Sequence, residues 1–334
     1  METVFISIED RPTGRREESD VRMAATRQRT ATAGTADATR WLAAALALAA
    51  GAALTGCGAT THPHANSVVA STDVWGSVAR AVTGRHVAVK SILSGADIDP
   101  HAYEVSPADA AAIADAPLVV FNGGGYDGWV DDVLARHPDA KPVNAYSFLH
   151  NDGGDRDTHV FYDLGVAKSV ANTIAERLAT IDAGNAADYR SNAAAFGRDT
   201  DSIAGAEHAI ATAYPNTSVV ATEPVAFYLL KATGLVNRTP PAFEAAIENE
   251  TDPAPADMAM VLELVNRHQV SAVLVNPQTS TTAINGLRDA ARHAGVPITD
   301  VSETLTEGME YLSWQRNTVN QLQSALRSSR PVPS

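Results

Sequence analysis

Cysteine is almost absent from this chain: Cys57 is the only one in 334 residues. An internal disulfide framework is therefore excluded, and the fold must rest on a hydrophobic core. Positive charge is also short. Lys and Arg number 25 against 39 Asp and Glu, for a formal net charge of −14. That balance argues against nucleic acid as a partner. The apolar run from Trp41 to Leu54 is too short to span a bilayer comfortably. Catalytic signatures are missing as well. There is no His-Glu-x-x-His, no Ser-His-Asp arrangement stands out, and Asn122-Gly-Gly-Gly125 lacks the Lys-Ser/Thr that closes a phosphate loop. No low-complexity segment or internal sequence repeat is visible.

With 45% hydrophobic and 19% charged residues, wholesale disorder is excluded. The length suffices for two ordinary domains. The N-terminus reads as an address. Arg27, Arg29 and Arg40 precede the apolar run, and small residues follow it. This predicts a secretory signal peptide over residues 1–57. It ends in Leu54-Thr-Gly-Cys57, which looks like a bacterial lipobox, so Cys57 is expected to carry lipid and to become the mature N-terminus. Met23 is an alternative start that gives a signal of more usual length. Residues 1–56 hold seven basic and seven acidic residues, so their removal leaves the net charge unchanged. Residues 58–66 read as a polar tether.

From Ser67 onward, strand-like and helix-like stretches alternate. Strands are expected at 67–72, 87–93, 117–121, 218–221 and 272–275, with a last one starting at Pro297-Ile298. Helices are expected at 73–82, 107–114, 126–136, 225–233, about 255–268, 281–294 and about 311–327. The pattern predicts an α/β fold of two lobes, each a mostly parallel sheet covered by helices. Between them, Tyr189, Ala193, Phe196, Ile203, Ile210 and Tyr214 fall at helical spacing with no proline until Pro215. A single linking helix is expected there. The lobes are placed at 67–183 and 215–330, with the linker at 184–214.

Chemistry concentrates in loops. Pro100 stiffens the turn that carries His101, and Ser106-Pro-Ala-Asp109 reads as a helix start. His159 follows a polar loop. Tyr162 or Asp163 is its candidate partner, with Asp163 alternatively capping the next helix. Glu223 follows a strand, as does a carboxylate at Asp300 or Glu303. Asp127 and Trp129 either line a cleft or start a helix. His137, His208, His268 and His293 are expected on the surface, and Glu104 in a solvated turn. Two imidazoles and two carboxylates, two residues from each lobe, make a mixed N/O site for a divalent transition metal.

Several motifs together resemble a known family. They are Asp99-Pro-His-Ala-Tyr-Glu104 before Ser106-Pro-Ala-Asp109, Thr158-His-Val-Phe-Tyr-Asp163, Asp252-Pro-Ala-Pro255 and Tyr311-Leu-Ser-Trp-Gln-Arg-Asn-Thr-Val-Asn320. The sequence resembles the zinc/manganese solute-binding lipoproteins of bacterial ABC importers. The resemblance implies two α/β lobes, a long linking helix, and metal held by one residue from each of four loops. It puts His101 and His159 on the first two ligand positions and Glu223 on the third, where manganese members carry Glu. Glu303, in Ser302-Glu-Thr-Leu305, best matches the fourth, with Asp300 the alternative. The two differ by three positions, so a strand running through both would point them to opposite faces.

The implied function is capture of Mn2+ or Zn2+ as cargo by an extracytoplasmic, lipid-anchored monomer, not an enzyme. The implied partner is the membrane permease of an ABC importer. Competing classes are a surface metallohydrolase and an adhesin-like lipoprotein with a structural metal.

Overall fold

The computed structural model describes residues 67–95, 99–150, 155–306 and 308–329. The expected signal segment, Cys57 and the tether lie outside the described residues, as does part of the polar loop before His159.

The first half alternates strand and helix: β1 (Ser67–Thr72), α1 (Asp73–Thr83), β2 (Ala88–Leu93), α2 (Pro107–Asp115), β3 (Leu118–Phe121), α3 (Gly128–Leu134) and β4 (Val143–Asn144). Its strands run parallel in the order β2-β1-β3-β4. β1 and β3 are buried throughout. They read as continuous apolar runs because helices cover both faces of a parallel sheet. Two helices follow, α4 (Leu164–Ile181) and α5 (Ala186–Ala213). The second half comprises β5 (Ser218–Ala221), α6 (Phe227–Thr233), β6 (Val236–Asn237), α7 (Pro241–Glu248), α8 (Pro255–Asn266), β7 (Val273–Val275), α9 (Thr282–Ala294), β8 (Ile298–Asp300) and α10 (Tyr311–Ser328). Its sheet is again parallel, in the order β6-β5-β7-β8. Both halves thus wind the same way without any visible sequence repeat.

Local chemistry explains the boundaries. Ser106 Oγ accepts from the Asp109 N–H, and Pro107 fills the first position of α2. Asp163 Oδ1 accepts from the Gly165 and Val166 N–H groups at the start of α4. Gly234 and Gly295 take left-handed conformations that stop α6 and α9. The 28 residues of α5 span roughly 42 Å. It buries Tyr189, Ala193, Phe196, Ile203 and Ile210 along one stripe. One apolar cluster runs from Val68 and Val120 through Ala167 and Phe196 to Ala221 and Leu274. The two sheets therefore share a core instead of meeting only at a linker. Among the described residues, no helix is long and apolar enough to cross a membrane.

The short strands β4 and β6 are not among the strands expected from the sequence, and two further elements also differ. α7 is not among the expected helices; Pro241 sits at its N-terminus, where the missing N–H costs nothing. The last strand ends at Asp300, so the facing argument for Asp300 and Glu303 has no strand to act on.

α5 also buries a charge. Glu207 is 4% exposed, and its Oε1 has no hydrogen-bond partner. Burial pushes the carboxyl from an ordinary 4.5 up to about 8, with the charge of Asp163 adding to the shift. A carboxyl whose folded pKa is raised binds more proton folded than unfolded. Its stabilising protonation is complete below pH 4.5 and is lost as pH rises toward 8. Glu207→Gln should flatten that slope and raise stability by about 2–4 kcal/mol above pH 8. Urea melts of both proteins at pH 5 and 8.5 measure it; equal pH slopes would contradict it.

Candidate metal centre

The site forms where strands of both sheets end, which is where open parallel sheets present their loops. After β2, the chain turns through Asp99-Pro100-His101. Trp129 Nε1 donates to the Pro100 carbonyl (3.1 Å), and the His101 N–H donates to Asp99 Oδ1 (2.8 Å). Downstream, Asp109 accepts from Tyr103 OH, Ser106 Oγ and Lys90 Nζ. Trp129 therefore braces the loop, and its ring packs edge-on against Tyr103. Asp127 accepts the N–H groups of Asn122 and Gly123, holding the glycine turn after β3. At Gly123 and Gly124, φ is positive, and an added Cβ would collide with Asn144 and Tyr146. That turn delivers Tyr126, whose ring lies 4.6 Å from His101 and 5.6 Å from His159.

His159 is fully buried. Its N–H donates to Asp157 Oδ1 (2.8 Å), and its Nδ1 lies 2.6 Å from the same oxygen. The carboxylate holds a proton on Nδ1 and aims Nε2 at the carboxylates of Glu248 and Glu303, so that Nε2 is the atom a metal would bind on displacing its proton. Nε2 has no hydrogen-bond partner. The orienting acid is thus Asp157. Asp163 is a helix cap, and Tyr162 OH donates to the Ser302 carbonyl (3.0 Å). The signal for Asp157 was in the sequence: both Asp99-Pro-His101 and Asp157-Thr-His159 place an Asp two residues before the histidine.

The second sheet supplies carboxylates. Glu223 follows β5, is 3% exposed, and accepts from Asn276 Nδ2 through Oε2 (2.8 Å). The same amide donates to Glu303 Oε1 (3.1 Å). Gln278 Oε1 accepts the Glu303 N–H (2.8 Å), and Tyr126 OH reaches Glu303 Oε2 at 3.4 Å. Glu303 Oε2 stands 4.0 Å from Nε2 of both histidines. One donor atom each from His101, His159 and Glu303 lies within 4.8 Å of the others. Glu223 lines the same cavity, of about 350 Å3, with Oε1 unpartnered. Asp300 does not join them: it is half-exposed and pairs with Arg288 at 3.3 Å. The expected surface histidines stay away from the site, with His137, His208 and His293 exposed.

Sequence reasoning missed Glu248, the last residue of α7. Its Oε1 lies 3.7 Å from His101 Nε2 and 3.6 Å from His159 Nε2, and its Oε2 is buried without a partner. A larger cavity of about 740 Å3 opens on the far side of the Glu303 loop between Asp73, Arg80 and Met309. It gathers no imidazole, so the smaller one is the chemical site.

Charge is crowded here. Burial raises Glu303 to about 7 against the attraction of His159, with Glu223 and Glu248 adding to it. Burial likewise raises Glu248 to about 7 and raises Glu223. His101 is lowered by burial and by His159. Burial also opposes the charge on His159, but the Asp157 hydrogen bond and the nearby carboxylates outweigh it and push the imidazole to about 9. A cavity lined this way favours a cation, and its N/O donors suit a divalent transition metal.

Comparison with known proteins agrees. The chain is 24% identical over 302 residues to the manganese-binding lipoprotein MntA of Bacillus subtilis, covering 82% of this chain and 95% of that one. It is 23% identical to the manganese ABC transporter substrate-binding lipoprotein PsaA of Streptococcus pneumoniae, covering 80% and 91%. The periplasmic zinc binding protein TroA of Treponema pallidum has the same fold, with a TM-score of 0.65, 17% identity and coverage of 79% and 99%. The family model for the periplasmic zinc-uptake complex component A matches residues 68–325. With most of its length matched by that model, the chain belongs to the ZnuA family of metal-uptake binding components, which are not enzymes.

Proposed function

We propose that this protein is the substrate-binding component of an ABC importer for a divalent transition metal, Mn2+ or Zn2+. It would take the ion as cargo between its two lobes and pass it to a membrane permease. The observation that carries this reading is the convergence of His101, His159 and Glu303 from three loops of both halves, around a buried and unpartnered His159 Nε2. Glu223 on the same cavity wall is the fourth expected ligand. Family membership and the manganese and zinc binding for which MntA, PsaA and TroA are named support the same conclusion. The working lobe boundaries are 67–183 and 215–330, joined by 184–214. Lipid on Cys57 would hold a monomer at the extracytoplasmic face of the cell membrane.

Metal that binds only the folded chain stabilises it by mass action. At a hundredfold excess over Kd, the gain is about 2.7 kcal/mol, or a Tm rise of roughly 4–5 °C for a chain of this size. Thermal melts with Mn2+, with Zn2+ and after chelation measure it. No metal-dependent shift would defeat the reading. In titrations, Glu303→Ala should weaken binding by at least about 100-fold. Asp300→Ala should stay within roughly threefold, because a half-exposed ion pair contributes little. The reverse order would move the fourth ligand to Asp300.

Asp157→Ala should weaken metal binding by about 10–100-fold while the metal-free melting temperature changes little. Unaltered affinity would show that Asp157 does not orient His159. Finally, Cys57→Ala should release the protein from the membrane fraction, since it removes the cysteine whose acyl chains would anchor it stably. Unchanged fractionation on sedimentation would refute the anchor.

A further inference from the structure

The chain is similar in sequence to relatives named for manganese and in fold to one named for zinc, so likeness alone does not select the ion. We infer that Glu248 is a fifth metal donor that tilts the site toward ions of coordination number above four, Mn2+ over Zn2+. This rests on the metal-binding reading above and extends it to the choice of cargo.

Distance is the first argument. Donors about 2.1 Å from one metal lie roughly 3.0–3.4 Å from each other. Glu248 Oε1 stands 3.7 and 3.6 Å from the two imidazole Nε2 atoms. Glu303, which the family resemblance picks as a ligand, stands 4.0 Å from both. Glu248 is therefore the better placed of the two to share an ion with both histidines.

Placement is the second argument. Glu248 closes α7, and a helix C-terminus disfavours negative charge. Its Oε2 is buried with no hydrogen-bond donor. Yet the position is firmly held. Phe243 and Ile247 anchor α7 in the core, and the Thr251 N–H returns to the Ala246 carbonyl to close the helix end. The imidazoles approach only Oε1, so a bound cation would supply the partner that neither the helix nor a protein donor gives the rest of this carboxylate. The fully buried, unpartnered Nε2 of His159 points to the same ligand from the other side.

Donor chemistry is the third. Without Glu248, the set is two imidazoles and two carboxylates, enough for the four-coordinate shell that Zn2+ prefers. A third carboxylate adds oxygen and a fifth position. Oxygen-rich shells of higher coordination suit Mn2+, whereas zinc gains little from the extra ligand. Glu248 would thus raise Mn2+ affinity relative to Zn2+ without reversing the intrinsic order that favours zinc.

The test is competition titration of the wild type, Glu248→Gln and Glu248→Asp with Mn2+ and Zn2+, with Co2+ as a spectroscopic probe. Glu248→Gln keeps the shape and removes the charge. It should cost Mn2+ about 10–100-fold and Zn2+ less than roughly threefold. Its Co2+ complex should change from the weak visible bands of five or six donors to the intense bands of a tetrahedral shell. Glu248→Asp keeps the charge but withdraws the oxygen, and should shift the metal ratio the same way. Metal-free melting curves establish that each variant folds; if one variant does not, the other decides. Equal losses for both metals, or no loss with an unchanged Co2+ spectrum, would overturn the inference. A wild type that binds neither metal would instead overturn the function proposed above.

Discussion

The structure depends on one electrostatic constraint: the buried Glu223, the partly buried Glu248 and Glu303, and two imidazoles converge on one site, and a single amide, Asn276, is shared between two of the acids. Burying charge without partners costs several kcal/mol per group. Protons offset part of that cost, as the raised Glu248 and Glu303 and the charged His159 show. A divalent cation offsets it more completely, and its binding displaces those protons. Binding and fold are therefore coupled at the same atoms.

Such a cavity persists only if its walls cannot collapse onto each other. Two features hold them apart. The first is α5 and the shared apolar core, which tie both sheets into one packed interior. The second is the path of the chain after β8. Its loop leaves the second sheet, but the first half of the protein fixes it. The Leu305 N–H donates to Asp73 Oδ1, and Tyr162 OH donates to the Ser302 carbonyl. The Tyr311 N–H donates across to Ser77 Oγ, while Trp314 Nε1 donates to Ser302 Oγ from within the second half. Tyr311 OH and Gln315 Nε2 both donate to the Phe161 carbonyl, two residues past His159. Glu303 is thus held on both sides, and its distance to His159 is set by bonds that cross between the halves.

The histidines are oriented by similar local devices of different strength. Each accepts direction from an Asp two residues earlier through its backbone N–H. Only Asp157 also reaches the ring. His159 is consequently buried and rigid, while His101, braced through Pro100 and Trp129, keeps about a third of its side chain exposed. One imidazole is a fixed wall of the site, and the other stands at its opening.

Sequence alone determined the alternation of strands and helices, the long α5 and the caps at Ser106 and Gly295, because periodicity, proline and glycine act within a few residues. It also marked His101, His159, Glu223 and Glu303 as loop residues that follow a strand or precede a helix, since element ends are readable locally. It did not reveal α7, nor Asp157 and Glu248. Their roles depend on what lies across the cavity: Asp157 on the ring of His159, Glu248 on two imidazoles more than eighty residues earlier. Only the tertiary structure decided between Asp300 and Glu303 as the acid that faces the cavity. The strand ends at Asp300, which turns to Arg288 and water. The chain then bends, and hydrogen bonds from the other half carry Glu303 inward. Strand parity acts along the backbone, but that bend is made by partners more than a hundred residues away.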